Sequence, residues 1–145
     1  MTPPTQELVR VRRRFPGRPE QVAAARGLVA AVLGPSSPLG EVAALLVSEA
    51  TTNALLHTAS GELGGSVEVA CSLADGQLLH VEVRDQGSDT QPHRQPHAAD
   101  SVNGRGLELF AALATRWGAR RSAEGHVVWF ELEARRGRDY SPNNC

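Results

Sequence analysis

The sequence predicts an α+β fold, a two-layer sandwich in which helices cover one face of a mixed, mainly antiparallel sheet. One strand-like segment is followed by two segments with helical periodicity, and two hairpins then flank a loop and a third helical segment. Because strands and helices do not alternate along the chain, a Rossmann architecture is disfavoured. Hydrophobic residues make up 41% of the 145 residues, enough for one core.

The first half of the chain predicts one strand and two helices. Apolar residues alternate loosely with arginine from Leu8 to Phe15, which is typical of an exposed edge strand. From Pro19 to Leu33 apolar residues recur every three or four positions, and Gly34-Pro35 ends that helix. A longer helix is predicted from about Leu39 to Thr58. Its apolar positions include Val42, Leu45, Leu46 and Leu56.

The second half predicts two hairpins. Apolar and polar residues alternate from Ser66 to Ser72 and from Leu79 to Arg84, and Asp75-Gly76 between them is a strong hairpin turn. The second hairpin is predicted from strands at Trp117–Ser122 and His126–Glu133, joined by a Glu124-Gly125 turn. The inward-facing residues of the first hairpin are predicted to be Val67, Val69, Cys71, Leu79, Val81 and Val83.

We predict one domain at residues 8–134 with flexible tails at residues 1–7 and 135–145. Residues 86–102 lack periodicity, and so long an irregular segment is usually a lid or binding loop. The formal net charge of -1 argues for neither nucleic acid nor an anionic membrane as a partner. No secretory signal or membrane-spanning stretch is recognised, so the expected location is cytoplasmic.

All 15 cationic side chains are arginine, and the chain contains no lysine. P-loop nucleotide sites and eukaryotic-type protein kinases both place a lysine on the phosphates, so those two mechanisms are excluded. A nucleotide would have to be held by metal, backbone amides or arginine.

Three polar residues recur along one stripe of the second helix. Glu49, Asn53 and His57 are spaced at i, i+4 and i+8, and the surrounding residues are apolar, so we expect the stripe to face the domain. A carboxylate can deprotonate a hydroxyl, and an amide oxygen one turn away can coordinate Mg²⁺. The spacing alone is equally compatible with a satisfied polar stripe at a helix edge.

Two further motifs contain glycine. Asp85-Gln86-Gly87 follows the return strand of the first hairpin, where the carboxylate can accept from an exocyclic amine and the glycine lets a flat ligand approach. Gly104-Arg105-Gly106 precedes a helix predicted from Leu107 to about Thr115, where free amides, the helix dipole and a forked cation favour phosphate. Taken singly, each motif is weak and could be only a turn.

In this order, the three motifs resemble the N, G1 and G2 boxes of GHKL ATPases, over roughly Val47 to Trp129. The short lid, the Arg116-Trp117-Gly118 step and the Val128–Leu132 segment are similar to those of actinobacterial anti-sigma factor serine kinases. The resemblance implies the Bergerat ATP-binding fold, ATP and Mg²⁺ as ligands, and serine/threonine kinase activity towards an anti-sigma antagonist. It also implies that the protein sequesters a sigma factor and forms a homodimer.

The resemblance further implies a role for each matching residue. Glu49 would be the catalytic base, and Asn53 the Mg²⁺ ligand. Asp85 would bind the adenine amine, with Gly87 giving the base room. The residues facing the phosphates would be Gly104, Arg105 and Gly106. His57 matches the N-box pattern and is expected behind the residues that touch the nucleotide.

Two positions depart from the family pattern. Asp89 stands where a second glycine is frequent, and Val127 stands where relatives commonly place a threonine near adenine. Loss of one such hydrogen bond costs about 1 kcal/mol, roughly fivefold in affinity, so weakened nucleotide binding is expected. Three alternatives stay open: a non-catalytic partner-binding switch, the ATP-binding half of a histidine kinase acting in trans, and a small α+β domain without nucleotide.

Overall fold

The computed structural model describes residues 7–58, 61–87, 108–122 and 125–134. Its elements are β1 (Leu8–Pro16), α1 (Gln21–Leu33), α2 (Gly40–His57), β2 (Ser66–Ala74), β3 (Leu78–Arg84), α3 (residues 108–113), β4 (Arg116–Ser122) and β5 (Gly125–Glu133). The five strands form one sheet in the order β1-β2-β3-β5-β4. The predicted α+β sandwich is confirmed. Every strand pairing among the described residues is antiparallel, so this part of the sheet is not mixed.

The core lies between the sheet and the helices. In β2 and β3 every second residue is buried, which confirms the inward set predicted from the alternation. The hairpin between them turns at Asp75 and Gly76, which have φ values of 53° and 68°. Glycine adopts such positive φ without steric cost, and aspartate tolerates it better than most residues. Cys71 is a buried free thiol, and burial raises its pKa to about 12.

The buried face of α2 differs from the one that its leucines suggest. Leu46 is fully buried, but Leu45 is 41% exposed and Leu56 is 67% exposed. Small side chains let α2 lie close to the sheet, and they include Ala43, Ala50 and Ala54. A helix repeats every 3.6 residues, so Leu45 and Leu56 share the opposite side, together with Glu49 and Thr52.

The other face of the sheet, here called the open face, contains a charged and aromatic network. His80 bridges Glu131 at 2.9 Å and Glu82 at 3.0 Å, and its ring stacks on Trp129 with centroids 5.6 Å apart. Arg116 donates to Glu131 at 2.7 Å. A Cβ at Gly118 would lie only 2.7 Å from the Trp129 Nε1 atom, so glycine lets the indole lie flat across β4.

Two glutamates of this network have a lowered pKa in the folded protein. Burial of Glu131 opposes its charge, but hydrogen bonds from Arg116 and His80 outweigh that effect. Burial of Glu82 is likewise outweighed by His80 and by the nearby Arg120 and Arg84. Both carboxylates therefore stabilise the fold most when they are ionised.

We expect acid to remove this stabilisation. A carboxylate with a lowered folded pKa contributes above its unfolded pKa, about 4.3 for glutamate, and loses that contribution as pH falls through the folded value. Urea unfolding of the wild type between about pH 6 and pH 3 should show this loss, and Glu131→Gln should show a smaller one. Glu41→Gln, at an exposed site in the first turn of α2, serves as the control. Equal acid-induced losses in the wild type and Glu131→Gln would contradict the assignment.

Candidate functional site

Asp85 is a buried carboxylate fixed by the backbone at the end of β3. The residue is 7% exposed, and its Oδ1 atom accepts from the amides of Gly87 at 2.7 Å and His126 at 3.0 Å. The Asp85 amide in turn donates to the His126 carbonyl at 2.9 Å. Within the described residues no donor reaches Oδ2, so one oxygen of a rigidly held carboxylate is available to a ligand. Buried hydrogen-bond acceptors in proteins usually have a donor as partner.

Two glycines bring the end of β3 against the start of β5. Gly87 has φ 70° and Gly125 has φ 151°, values that side chains rarely adopt. A Cβ at Gly125 would collide with the Asp85 carbonyl, and one at Gly87 would lie 3.1 Å from the Gly125 Cα. Gly87 was predicted to leave room for a ligand. In the structure, the position where a side chain at Gly87 would begin lies against the Gly125 backbone. The sequence did not identify Gly125 as a residue of the site, because Asp85, which it contacts, is distant in sequence.

Asn53 lies at the edge of the buried face of α2, whereas Glu49 lies farther round the helix, on the side that includes Leu45 and Leu56. Both are half-buried, and neither makes a side-chain hydrogen bond or ion pair with another described residue. By contrast, the buried hydroxyl of Thr51, on the same helix, donates to the Val47 carbonyl at 2.6 Å. Two half-buried polar groups without described partners are consistent with a ligand-binding role.

His57 does not face the domain. It is the last residue of α2 and is exposed, so the predicted inward stripe holds only in part: Asn53 is at the edge of the buried face, and Glu49 is half-buried on the other side of the helix. The reason is the helical rotation, which moves each i+4 position by about 40° and changes the surroundings along the stripe.

Asp85 and helix α2, which contains Asn53, lie on the same side of the sheet. Side chains alternate between the two faces of a strand, so Asp85 lies on the same face as the buried residues Val81 and Val83. Helix α2 packs on β2 and β3 at that face. Gly104, Arg105 and Gly106 lie outside the described residues, as does Asp89. The predicted contribution of these residues to phosphate binding therefore stays a prediction.

The neighbour of Asp85 on β5 is His126, which corrects the expectation for Val127. Val127 pairs with Arg84, and paired residues share a face, so Val127 lies on the side of the sheet opposite to Asp85. The His126 Nδ1 atom lies 3.6 Å from Asp85 Oδ1. A missing hydroxyl at Val127 therefore does not deprive the carboxylate of a neighbour.

The described part of the site has oxygen acceptors but no ready-made metal cage. Among the described residues no group of three or more His, Cys, Asp and Glu side chains could hold a metal ion. None of the helices in the described part of the chain is long and apolar enough to cross a membrane.

Comparison with known proteins agrees with this geometry. Over 89 residues the chain is 35% identical to the anti-sigma F factor of Geobacillus kaustophilus (strain HTA426), covering 57% of this chain and 60% of that protein. It is 36% identical over 90 residues to the anti-sigma F factor of Geobacillus stearothermophilus, with the same coverage. The matched region thus spans about three fifths of these relatives. The family model for the histidine kinase-like ATPase domain matches residues 15–132. The chain belongs to the histidine kinase-like (GHKL) ATPase family, and membership of this family implies that the chain binds ATP.

Proposed function

We propose that the chain is an ATP-binding anti-sigma-type regulator. In this proposal it acts as a serine/threonine protein kinase that phosphorylates an anti-sigma antagonist, sequesters a sigma factor, or does both. The observation that supports nucleotide binding best is the Asp85 carboxylate, which has one oxygen fixed by two amides and the other without a described donor. The similarity to two proteins named anti-sigma F factor supports the regulatory role.

The residues present fit a magnesium nucleotide. Asp85 Oδ2 would accept a hydrogen bond from the exocyclic amine of adenine, and the Asn53 amide oxygen would be the protein ligand of the cation. Gly104, Arg105 and Gly106 would supply amides and a guanidinium for the phosphates, in place of the absent lysine. When bound, Mg²⁺ would neutralise negative charge on the phosphate oxygens.

Glu49 would act as the base in the transfer step. Its carboxylate takes the proton from a substrate serine hydroxyl as the serine oxygen bonds to the γ-phosphorus of ATP. The bond from that phosphorus to the oxygen bridging the β- and γ-phosphates breaks, which leaves phosphoserine and ADP. Half-burial of Glu49 on a rigid helix favours a fixed orientation for this proton transfer.

Protein partners follow from the same proposal. A sigma factor and an anti-sigma antagonist are the partners that the relatives' name supports. We also propose a homodimer, as the resemblance to anti-sigma factor serine kinases implies. Sedimentation at several protein concentrations tests this state, and a monomer at all concentrations would contradict it.

Thermal unfolding with and without Mg-ATP tests the nucleotide site. A ligand that binds only the folded state, at 100 times its dissociation constant, adds about 2.7 kcal/mol to the free energy of unfolding. We expect this for the wild type. Asp85→Asn should weaken ATP about tenfold or more, because it places an amide donor opposite the adenine amine.

Asp75→Asn is the matched control for Asp85→Asn, since it makes the same change in the hairpin turn on which no nucleotide contact is proposed. It should bind ATP like the wild type. The nucleotide-binding proposal fails if millimolar Mg-ATP leaves the melting temperature of the wild type unchanged. It also fails at Asp85 if the two aspartate variants bind ATP equally well.

A further inference from the structure

Strand β1 forms one edge of the sheet and is rich in arginine. It pairs with β2, and within the described residues no strand lies along its outer edge. Arg10, Arg12, Arg13 and Arg14 belong to this strand, and all four are exposed. Among the described residues, none of these guanidinium groups has an ion pair or a hydrogen bond. The outer edge of β1 therefore combines positive charge with a strand backbone that is accessible to another chain.

Backbone hydrogen bonds at the two ends of β1 show which of its residues bond to β2. The Asp75 amide donates to the Glu7 carbonyl at 2.7 Å, and the Gly17 amide donates to the Gly65 carbonyl at 2.9 Å. Bonded and non-bonded residues alternate along an antiparallel pair, and the register between these two positions continues without a bulge. The odd-numbered residues of β1 therefore bond to β2, and the even-numbered residues direct their N–H and C=O groups to the outer edge.

The same even-numbered residues place arginine side chains on the open face. Arg10 lies opposite Ser72, which in turn pairs with His80 of the open-face network. Arg12 lies opposite Ala70. Neither arginine thus has a carboxylate directly across the strand pair, where an opposite charge would stabilise the sheet. At these two positions the charge and the accessible backbone groups belong to the same residues.

We propose that β1 binds an extended, acidic segment of a partner protein, which adds to the sheet as a further strand. The outward N–H and C=O groups of Arg10 and Arg12 pair with the backbone of that segment, because an exposed edge is a template for strand addition. Acidic residues at alternate positions of the segment lie opposite the arginines. Apolar residues between them cover Val9, which is 44% exposed on the other face of β1. This inference goes beyond the proposed function and does not depend on the ATP site.

The charge and the backbone together favour an acidic polypeptide over two other occupants. A second copy of β1 would bring arginines against arginines, and like charges directly opposite each other destabilise a strand pair. Charged edge strands prevent association between identical chains in this way. Nucleic acid would neutralise the guanidinium groups but cannot continue the alternating N–H and C=O ladder of a strand edge. An acidic extended segment satisfies both features.

Fluorescence anisotropy with labelled peptides tests the proposal on the full chain. The probe is a peptide of about eight residues, a typical strand length, in which glutamate and valine alternate. Its control has lysine in place of glutamate, and we expect the wild type to bind this control about tenfold more weakly or less. Arg12→Gln should weaken binding of the glutamate peptide about threefold, the effect of one exposed ion pair. Arg121→Gln makes the same change at an exposed position on β4, at the opposite edge of the sheet, and should not weaken it.

Proline at position 12 separates strand addition from attraction by charge alone. Arg12→Pro removes the charge and also an N–H group directed away from β2, an orientation in which edge strands tolerate proline. It should bind the glutamate peptide at least about fivefold more weakly than Arg12→Gln, the equivalent of one hydrogen bond. If Arg12→Pro fails to fold, amide hydrogen exchange of the wild type decides the matter. The amides of Arg10, Arg12 and Arg14 should exchange more slowly when the glutamate peptide is bound.

The inference is overturned if the wild type does not bind the glutamate peptide, or if binding leaves the exchange of these amides unchanged. It is also overturned if folded Arg12→Pro binds the peptide as tightly as Arg12→Gln. Binding of duplex DNA without binding of the peptide would overturn it in favour of nucleic acid. A wild type that binds the glutamate peptide as described but not Mg-ATP would support the inference while the proposed function fails.

Discussion

Replacing Glu49 by glutamine is expected to abolish most phosphotransfer while leaving ATP bound. A positioned general base contributes about 10² to 10⁴-fold to the rate, and glutamine has the same shape but cannot take the serine proton. Since the site is half-buried on α2, the substitution should leave the fold intact. Transfer of labelled γ-phosphate from ATP to a purified anti-sigma antagonist measures the effect, and the thermal shift with Mg-ATP shows whether the nucleotide still binds.

Glu41→Gln is the matched control, because it removes an exposed glutamate from the same helix. It should transfer phosphate at the wild-type rate. Persistent transfer by Glu49→Gln would exclude Glu49 as the base. Acid-labile phosphohistidine on the partner, in place of phosphoserine, would identify the chain as the ATP-binding half of a histidine kinase. ATP binding without transfer by the wild type would favour a partner-binding switch.

Gly125→Ala is expected to destabilise the fold and to weaken ATP binding together. The new Cβ would collide with the Asp85 carbonyl, and φ 151° is a region that alanine avoids. Strain and displacement together should cost about 3 kcal/mol in the free energy of unfolding. Because the collision is with Asp85 itself, relief of the strain would move the carboxylate and reduce ATP affinity. Urea unfolding and ATP titration of the folded variant measure the two effects.

Gly64→Ala separates the two causes of the Gly125 effect. Gly64 has φ 80°, also unfavourable for alanine, but an added Cβ would meet no atom within 4 Å. We therefore expect a smaller loss of stability and no change in ATP affinity. If Gly125→Ala behaves like Gly64→Ala in both measurements, the close approach of the two strands does not position Asp85.

Alternation and turn chemistry were sufficient to predict most of the fold. Each of β2 and β3 buries alternate residues, and Asp75-Gly76 adopts the positive φ values that this pair favours. Asp85 is buried at the end of the same strand, and its predicted contact with adenine stays a prediction. These features are local, so a window of about ten residues contains the information that specifies them.

The errors concern relations between distant segments. Val127 and His126 are adjacent, and a difference of one residue in strand register exchanges the faces on which they lie. Only the pairing of β5 with β3 decides that His126 neighbours Asp85. Likewise, alanines outside the obvious leucine pattern determine which side of α2 packs on the sheet, and this leaves Leu45 and Leu56 exposed. Neither relation is encoded in a local motif.

The adjacent strands β4 and β5 supply two intrinsic fluorescence probes on opposite surfaces. Trp117 packs against Phe110 with ring centroids 6.0 Å apart, whereas Trp129 stacks on His80. Variants that retain one indole each would thus report separately on the inner layer and on the open face. A partner that covers the open face should change the emission of Trp129 and leave that of Trp117 unchanged, so binding could be followed without attaching a dye.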